Sequence, residues 1–141
     1  MKLHLGCGTN YKEGWVNVDL DPNVKADWHG DCNEMPFAND TFDYIYTHHV
    51  LEHFDDLFKI LYEISRVSKN GAILEIIVPY WSWSQNQGNP YHKLYFSEHT
   101  MRFFDKENGI YKRGQTQPFS LQELECDFNE QEIHWKLKLI K

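Results

Sequence analysis

The apolar positions change period several times along the chain, and each change marks an element. Residues 2–5 alternate loosely and stop at Gly6, as a buried strand does. Residues 15–21, WVNVDLD, are β-branched and aromatic up to Pro22 and predict a second strand. Residues 26–31 fit a very short third strand, and residues 41–49 a fourth, built on Phe42, Tyr44, Ile45 and Tyr46. The period then becomes helical, with Leu57, Phe58, Leu61, Ile64 and Val67 on one face. Asp55 is the expected N-cap, Arg66 and Lys69 complement the helix dipole in the last turn, and Asn70-Gly71 closes it. Residues 72–79 are almost wholly apolar, as in a strand covered on both faces.

Strand, helix and strand in this order predict a parallel sheet with crossover helices. After Pro79 the stretch YWSWSQNQGNPYHKLYF, residues 80–96, is aromatic, amide-rich and irregular, and a loop of that length in a compact domain is usually functional. Ser97 is placed to cap a short helix through Met101 to Phe104. Residues 119–128 and 132–140 pair as an antiparallel hairpin around a turn at 129–131. The expected fold is α/β: one domain over residues 1–141, a Rossmann-like, mostly parallel sheet with flanking helices and a C-terminal antiparallel β-hairpin. Residues 80–96 would be its acceptor-site lid.

Composition narrows the function. The chain has 141 residues, enough for one core, with 41% apolar and 25% charged residues, an ordinary globular balance. A net charge of −7 argues against a grip on nucleic acid phosphates. No apolar run approaches the roughly 20 residues of a membrane span, and no leader precedes the first strand. Cys7, Cys32 and Cys126 are odd in number and widely spaced. This pattern fits a reducing cytoplasm, with neither a disulfide framework nor a zinc pair, and no metal is expected.

The chemistry begins at LHLGCGTN. Gly6 and Gly8 flank Cys7 at a strand end, where missing side chains let the backbone approach a ligand. Asp19 ends the next strand, where a carboxylate can accept both hydroxyls of a ribose. A dinucleotide loop would need a glycine where Tyr11 stands and an acid further along. The connection to Trp15 is also shorter than the dozen or more residues of a normal parallel crossover, so its helix is one turn at most. Pyrophosphate leans on a helix N-terminus. A ribose-bearing ligand without phosphate fits better, and a nicotinamide-nucleotide oxidoreductase is disfavoured.

The chain resembles a class I S-adenosylmethionine-dependent methyltransferase of the type-11 group. Four stretches carry the resemblance in order: LHLGCGTN, VNVDLD, GDCNEMPFANDTFDYIYTHHVLEHF and RVSKNGAILEIIVP. The resemblance implies that Gly6, Cys7 and Gly8 line the methionine part of the cofactor. It implies Asp19 on the ribose, Leu20 on the adenine ring, Asp31 on its amino group and Cys32 beside it. Thr47 and His48 would lie near the transferred methyl. S-adenosyl-L-homocysteine would be the product.

Methyl transfer is an in-line displacement, so the protein must align a small-molecule acceptor and remove its proton where it is an OH or NH. His48 and His49, at the end of a strand, and His92, in the aromatic loop, are the candidate bases. His53 reads as structural and His99 as a helix-face residue. Tyr80, Trp81, Trp83, Tyr91, His92 and Lys93 are the candidate acceptor contacts. Glu52 with Glu63, and Glu123 with Glu125, read as solvated or locally paired. So short a scaffold walls its pocket poorly, which a homodimer or a partner subunit would remedy. The rival reading is a non-catalytic cofactor-binding module that supports a partner protein.

Overall fold

The structure is a computed structural model that describes residues 1–107 and 116–141. Its strands are β1 (Lys2–Leu5), β2 (Val16–Asp19), β3 (Trp28–His29), β4 (Phe42–His48), β5 (Ser68–Pro79), β6 (Ser120–Phe128) and β7 (Glu132–Ile140). They form one sheet in the order β3-β2-β1-β4-β5-β7-β6. β1 to β5 are parallel, and β7 and β6 close the far edge antiparallel. The expected Rossmann-like sheet and terminal hairpin are therefore present. From β1 the chain builds outward to β2 and β3 on one side, then returns to place β4 and β5 on the other. Such a switch point opens a crevice at the carboxyl ends of β1 and β4.

One face of the sheet holds the core. Leu3 and Leu5, Val18, Ile45, Leu74 and Ile76, and Trp135 and Leu137 are fully buried there. Helix α1 (Leu57–Val67) covers them with Ile60, Leu61, Ile64 and Val67, joined by Phe96, Met101, Phe104 and Phe119. Each such side chain contributes roughly 1.5–3 kcal/mol on burial. α1 starts one residue later than the sequence suggests. Asp56, not Asp55, is its N-cap, accepting from the amides of Phe58 (2.8 Å) and Lys59 (3.2 Å). Asp55 instead pairs with Lys93 at 2.7 Å. The helix also ends before Asn70-Gly71: Ser68 caps it, its hydroxyl donating to the Ile64 carbonyl at 2.6 Å. Lys69 to Gly71 already belong to β5, where Gly71 (φ +83°) lies in a bulge against β4.

The other face is not packed as the apolar run 72–79 suggests. Along β5 buried positions alternate with half-buried Ile73, Glu75 and Ile77. Side chains cover this face. Trp15 meets the edges of Tyr44 (5.7 Å) and Tyr46 (6.4 Å), and the Lys12 ammonium lies 4.6 Å above the Tyr46 ring. Tyr44 donates to Glu75, which also binds His134 at 2.9 Å.

The connection from β1 to β2 runs through turns and contains no helix. Asn17, wholly buried on the second face, binds this loop instead. Its Oδ1 accepts from the Lys12 amide (2.9 Å) and lies 3.2 Å from His4 Nδ1. Its Nδ2 donates to the carbonyls of Lys12 (2.9 Å) and Trp15 (3.1 Å), and its backbone amide donates to Asp27 at 2.7 Å.

Residues 80–96 are more ordered than the sequence suggests. They contain the short helix α2 (Ser84–Gly88), fixed by buried Asn86, whose Nδ2 donates to the Tyr80 carbonyl at 3.0 Å. A 3-10 turn, Thr100–Phe104, takes the place of the helix expected after Ser97.

Replacing Asn17 by Ala strands three part-buried backbone groups at once, the Lys12 amide and the Lys12 and Trp15 carbonyls. Asn17→Ala should cost about 2–4 kcal/mol in urea denaturation, at one to three per unpaired group with partial relaxation. A cost below about 0.5 kcal/mol would show that the loop holds itself.

Candidate functional site

At the β1–β4 crevice the backbone itself forms the first wall. Gly6 (φ +65°) and Gly8 (φ +49°) are both left-handed, which costs glycine little. A Cβ on Gly6 would sit 2.3 Å from Val50 Cγ2, so the β1 turn packs directly on the segment that follows β4. A Cβ on Gly8 would meet nothing within 4 Å, because that side is open. Asp19 ties the loop to the end of β2. Its Oδ2 accepts from the Gly8 amide at 2.7 Å and its Oδ1 from the Asp21 amide at 2.9 Å.

A cavity of about 700 Å³ opens here. Gly6, Cys7 and Gly8 line it, as do Asp19 and Leu20, Asp31 and Cys32, and His48 and His49. Leu20 is 71% exposed, an apolar side chain held open beside a carboxylate. Asp31 turns back on Asn33, its Oδ1 accepting from that residue's amide at 2.8 Å. Burial pushes the Cys32 thiol up to about 12 and raises Cys7 as well, so both stay protonated and serve as apolar wall rather than nucleophiles. Thr47 does not reach the cavity. It is buried among the strands, its hydroxyl without a partner.

His48 and His49 stand over the crevice with rings 4.5 Å apart. His49 is left-handed (φ 54°), a conformation that costs an ordinary residue about 1–2 kcal/mol and clusters at functional sites. Its amide donates to the Ile77 carbonyl at 2.9 Å. Its Nε2 lies 3.1 Å from Glu132 Oε2, and that of His48 lies 3.8 Å away. Burial, then the neighbouring His48, lower the His49 pKa below the ordinary histidine range, against the pull of Glu132. His49 is therefore neutral at physiological pH and competent to take a proton.

The aromatic loop lies beside the cavity, not in it. None of Tyr80, Trp81, Trp83, Tyr91, His92 or Lys93 is among its lining residues. Tyr80 stacks on Phe128 (5.9 Å, 10°). Tyr91 is 73% exposed. The loop reaches the cavity through two lining residues: His53, whose Nδ1 lies 3.1 Å from the Tyr91 carbonyl, and Asp55, bound to Lys93. Thr9, Asn10, Gly30, Asn33, Val50 and Phe54 also line the cavity and were not anticipated. Thr9, Gly30, Asn33 and Val50 each adjoin an anticipated residue, and that adjacency is the one signal that could have found them; Asn10 and Phe54 adjoin none.

Glu52 departs most from expectation. It is not solvated: it is wholly buried, neither carboxylate oxygen has a hydrogen-bond partner, and the Nε2 atoms of His53 (3.9 Å) and His92 (4.0 Å) lie nearby. Glu63 by contrast is held by Arg66 (2.7 Å) and the Met35 amide (2.7 Å).

Residues 3–76, more than half of the chain, match the family described as "Methyltransferase domain". Solved structures share the fold at low identity. A SAM-dependent methyltransferase from Aquifex aeolicus is 16% identical with a TM-score of 0.67, covering 99% of this chain and 81% of its own. One from Archaeoglobus fulgidus is 17% identical with a TM-score of 0.68, covering 97% and 85%. A Haloferax volcanii methyltransferase, solved in complex with the Trm112 methyltransferase activator, is 16% identical with a TM-score of 0.69, covering 99% and 82%. No curated protein matches the chain.

Burial raises the Glu52 carboxyl from its ordinary 4.5 to about 7. The folded pKa lies above the unfolded one, so the associated stability is complete below pH 4.5 and is lost as pH rises through about 7. The full loss is about 3 kcal/mol. In metal-free buffer, Glu52→Gln should therefore gain on the wild type between pH 5 and pH 8 by roughly that amount in chemical denaturation. An equal pH dependence in both proteins would contradict the burial cost.

Proposed function

The chain belongs to the methyltransferase-domain family, and we propose that it transfers a methyl group from S-adenosylmethionine to an oxygen or nitrogen of a small-molecule acceptor. One observation carries this reading: the Gly8–Asp19 clamp beside exposed Leu20, in a cavity walled by uncharged thiols and opened at the sheet's switch point. The donor set fits the cofactor. Gly6, Cys7 and Gly8 offer backbone to its methionine part, Asp19 a carboxylate to the ribose, and Leu20, Asp31 and Cys32 a flat apolar and acidic edge to the adenine. His48, which lines the cavity where Thr47 does not, would support the end nearest the transferred methyl. When bound, the cofactor supplies an electrophilic methyl on a sulfonium.

The chain's own task is then to hold the acceptor and take its proton. His49 is the base we favour. Glu132 accepts from its Nε2–H, which leaves Nδ1 as the proton acceptor and stabilises the imidazolium that forms. His48 adds a second imidazole at the same rim. The aromatic loop would shape the acceptor side through His53 and Asp55 rather than by direct stacking.

A second reading has an observation of its own. A structural neighbour was solved with an activator protein, and this chain leaves Ile73, Glu75 and Ile77 of β5 only half-buried. A partner subunit that completes the pocket, or a second copy of this chain, would fit that geometry. Dinucleotide chemistry lacks support, because no helix begins at the glycine loop to receive a pyrophosphate.

Calorimetry should show one S-adenosylhomocysteine per chain and no heat with NAD. Failure of S-adenosylhomocysteine to bind at millimolar concentration would sink the reading. Asp19→Ala should weaken that binding by about 1.5–3 kcal/mol. Unchanged affinity in a folded variant would remove Asp19 from the ribose site. Once an acceptor is found, the rate should fall on the acid side as His49 protonates, below the ordinary histidine range. Glu132→Gln removes the group that raises the His49 pKa, so it should move that limb to still lower pH, and His49→Ala should abolish it. A limb that stays in place in both variants would exclude His49 as the base.

A further inference from the structure

Beside the cavity, the Leu51–His53 turn and the aromatic loop bring three ligand-type atoms together. The Glu52 carboxylate has no exposed surface and no hydrogen-bond partner. His53 Nε2 lies 3.9 Å from Glu52 Oε1, and His92 Nε2 lies 4.0 Å from the same oxygen. The His92 side chain is only 10% exposed. The three ligand atoms fall within 4.8 Å of one another.

The outer contacts point both imidazoles the same way. His53 Nδ1 lies 3.1 Å from the Tyr91 carbonyl oxygen, and His92 Nδ1 lies 2.7 Å from Asn86 Oδ1. Both partners only accept, so each Nδ1 carries the proton and each Nε2 presents a lone pair. Histidine metal ligands are oriented by this pattern, one nitrogen donating to oxygen while the other binds. Separations near 4 Å are too long for hydrogen bonds, and small side-chain shifts would bring the atoms to the ~3.4 Å spacing of tetrahedral ligands bonded to one ion at about 2.1 Å. The frame is rigid, because the Glu52 carbonyl accepts from the amides of Lys93 (2.7 Å) and Leu94 (3.1 Å), fixing the turn against the loop.

We propose that Glu52, His53 and His92 form a binding site for one divalent transition-metal ion, with His53 and Glu52 from the turn and His92 from the aromatic loop. Two imidazoles and one carboxylate suit Zn²⁺ or Co²⁺ better than Mg²⁺ or Ca²⁺. Binding displaces one neutral contact, from Asn89 Nδ2 to His92 Nε2 at 3.0 Å. Three protein ligands leave a position for water or an oxygen of a second molecule. Because His53 lines the cavity, that position is within reach of the proposed acceptor side. A second trio, His48, His49 and Glu132, is a weaker candidate. It is exposed, and its carboxylate already holds His49 at 3.1 Å.

The site stands apart from the methyl-transfer reading, and its test does too. Chelator-treated protein should bind one Co²⁺ per chain at micromolar or lower concentration, with visible ligand-field absorption, and Zn²⁺ should displace it. Glu52→Gln and His92→Gln should each weaken Zn²⁺ binding about 100-fold or more, and half-exposed His53→Ala about 10- to 100-fold, with circular dichroism confirming the fold. Glu132→Gln should leave it within about threefold. The proposal is overturned if the folded wild type takes up no stoichiometric Co²⁺ or Zn²⁺ at 100-fold higher concentration. It is also overturned if Glu52→Gln and His53→Ala bind as wild type, or if Glu132→Gln is the variant that loses the ion. S-adenosylhomocysteine binding, measured on the same samples, separates the two ideas: a chain that binds the ion and not the nucleoside keeps this site and loses the methyl-transfer reading.

Discussion

The hydrogen bonds of one buried amide, Asn17, hold the cavity end of the molecule together. A parallel crossover normally hides its backbone polar groups inside a helix. Here residues 6–15 cross from β1 to β2 without one. Asn17 reaches up from the sheet and satisfies the Lys12 amide, the Lys12 carbonyl and the Trp15 carbonyl. Its neighbour Asp27 extends the network to the Tyr11 hydroxyl at 2.8 Å and to the Asn17 backbone amide, the contact that most lowers the Asp27 pKa. The loop is thus fastened from below, and its upper side, Gly6 to Asn10, is free to line the cavity.

The same economy explains the second face of the sheet. With the helix gone, Trp15 drops onto Tyr44 and Tyr46, and Lys2 and Lys12 cover its ring at 5.2 and 5.7 Å. Aromatic edges and lysine stems bury apolar surface while their polar ends remain wet. This layer shields β1 and β4 without adding chain. It also leaves the pocket walled by backbone turns on one side and by the segment after β4 on the other.

Much of this was legible in the sequence. β1 and the terminal hairpin follow from alternation, and the glycine turn and Asp19 follow from their positions at strand ends, whereas Asp31 follows only from the family resemblance. The missing first helix was legible by length alone. What was not legible came from contacts between distant parts of the chain. The β-rich run 72–79 has the composition of a fully covered strand, yet what covers a face depends on the elements opposite, and here those are short. Asp55 and Asp56 are equivalent by propensity. Only Asp56 has the extended backbone of an N-cap, while Asp55 is drawn to Lys93. The aromatic loop looked like the acceptor surface because its composition suits stacking. Its aromatics in fact face the hairpin and solvent, and its inward polar groups, Asn86 and His92, hold its own turns. Residue type gave the chemistry of these positions, but direction depended on Asn86, a side chain with no distinctive sequence signal.

Glu52 shows how the two halves of the site are joined. The turn that carries it begins beside Val50, which abuts Gly6, and ends at His53, which lines the cavity. Its carbonyl binds the aromatic loop through two amides, so the glycine turn, the Leu51–His53 turn and the aromatic loop are coupled through residues 50–53. A turn that served packing alone would place an apolar side chain at position 52, since an unpaired buried carboxylate opposes folding whenever it is charged. Position 51, one residue earlier, is such a side chain, fully buried Leu51. The contrast between the two neighbours separates the roles: Leu51 anchors the turn in the core, and Glu52 holds a carboxyl group that no hydrogen bond of the fold compensates, 3.9 and 4.0 Å from the Nε2 atoms of His53 and His92.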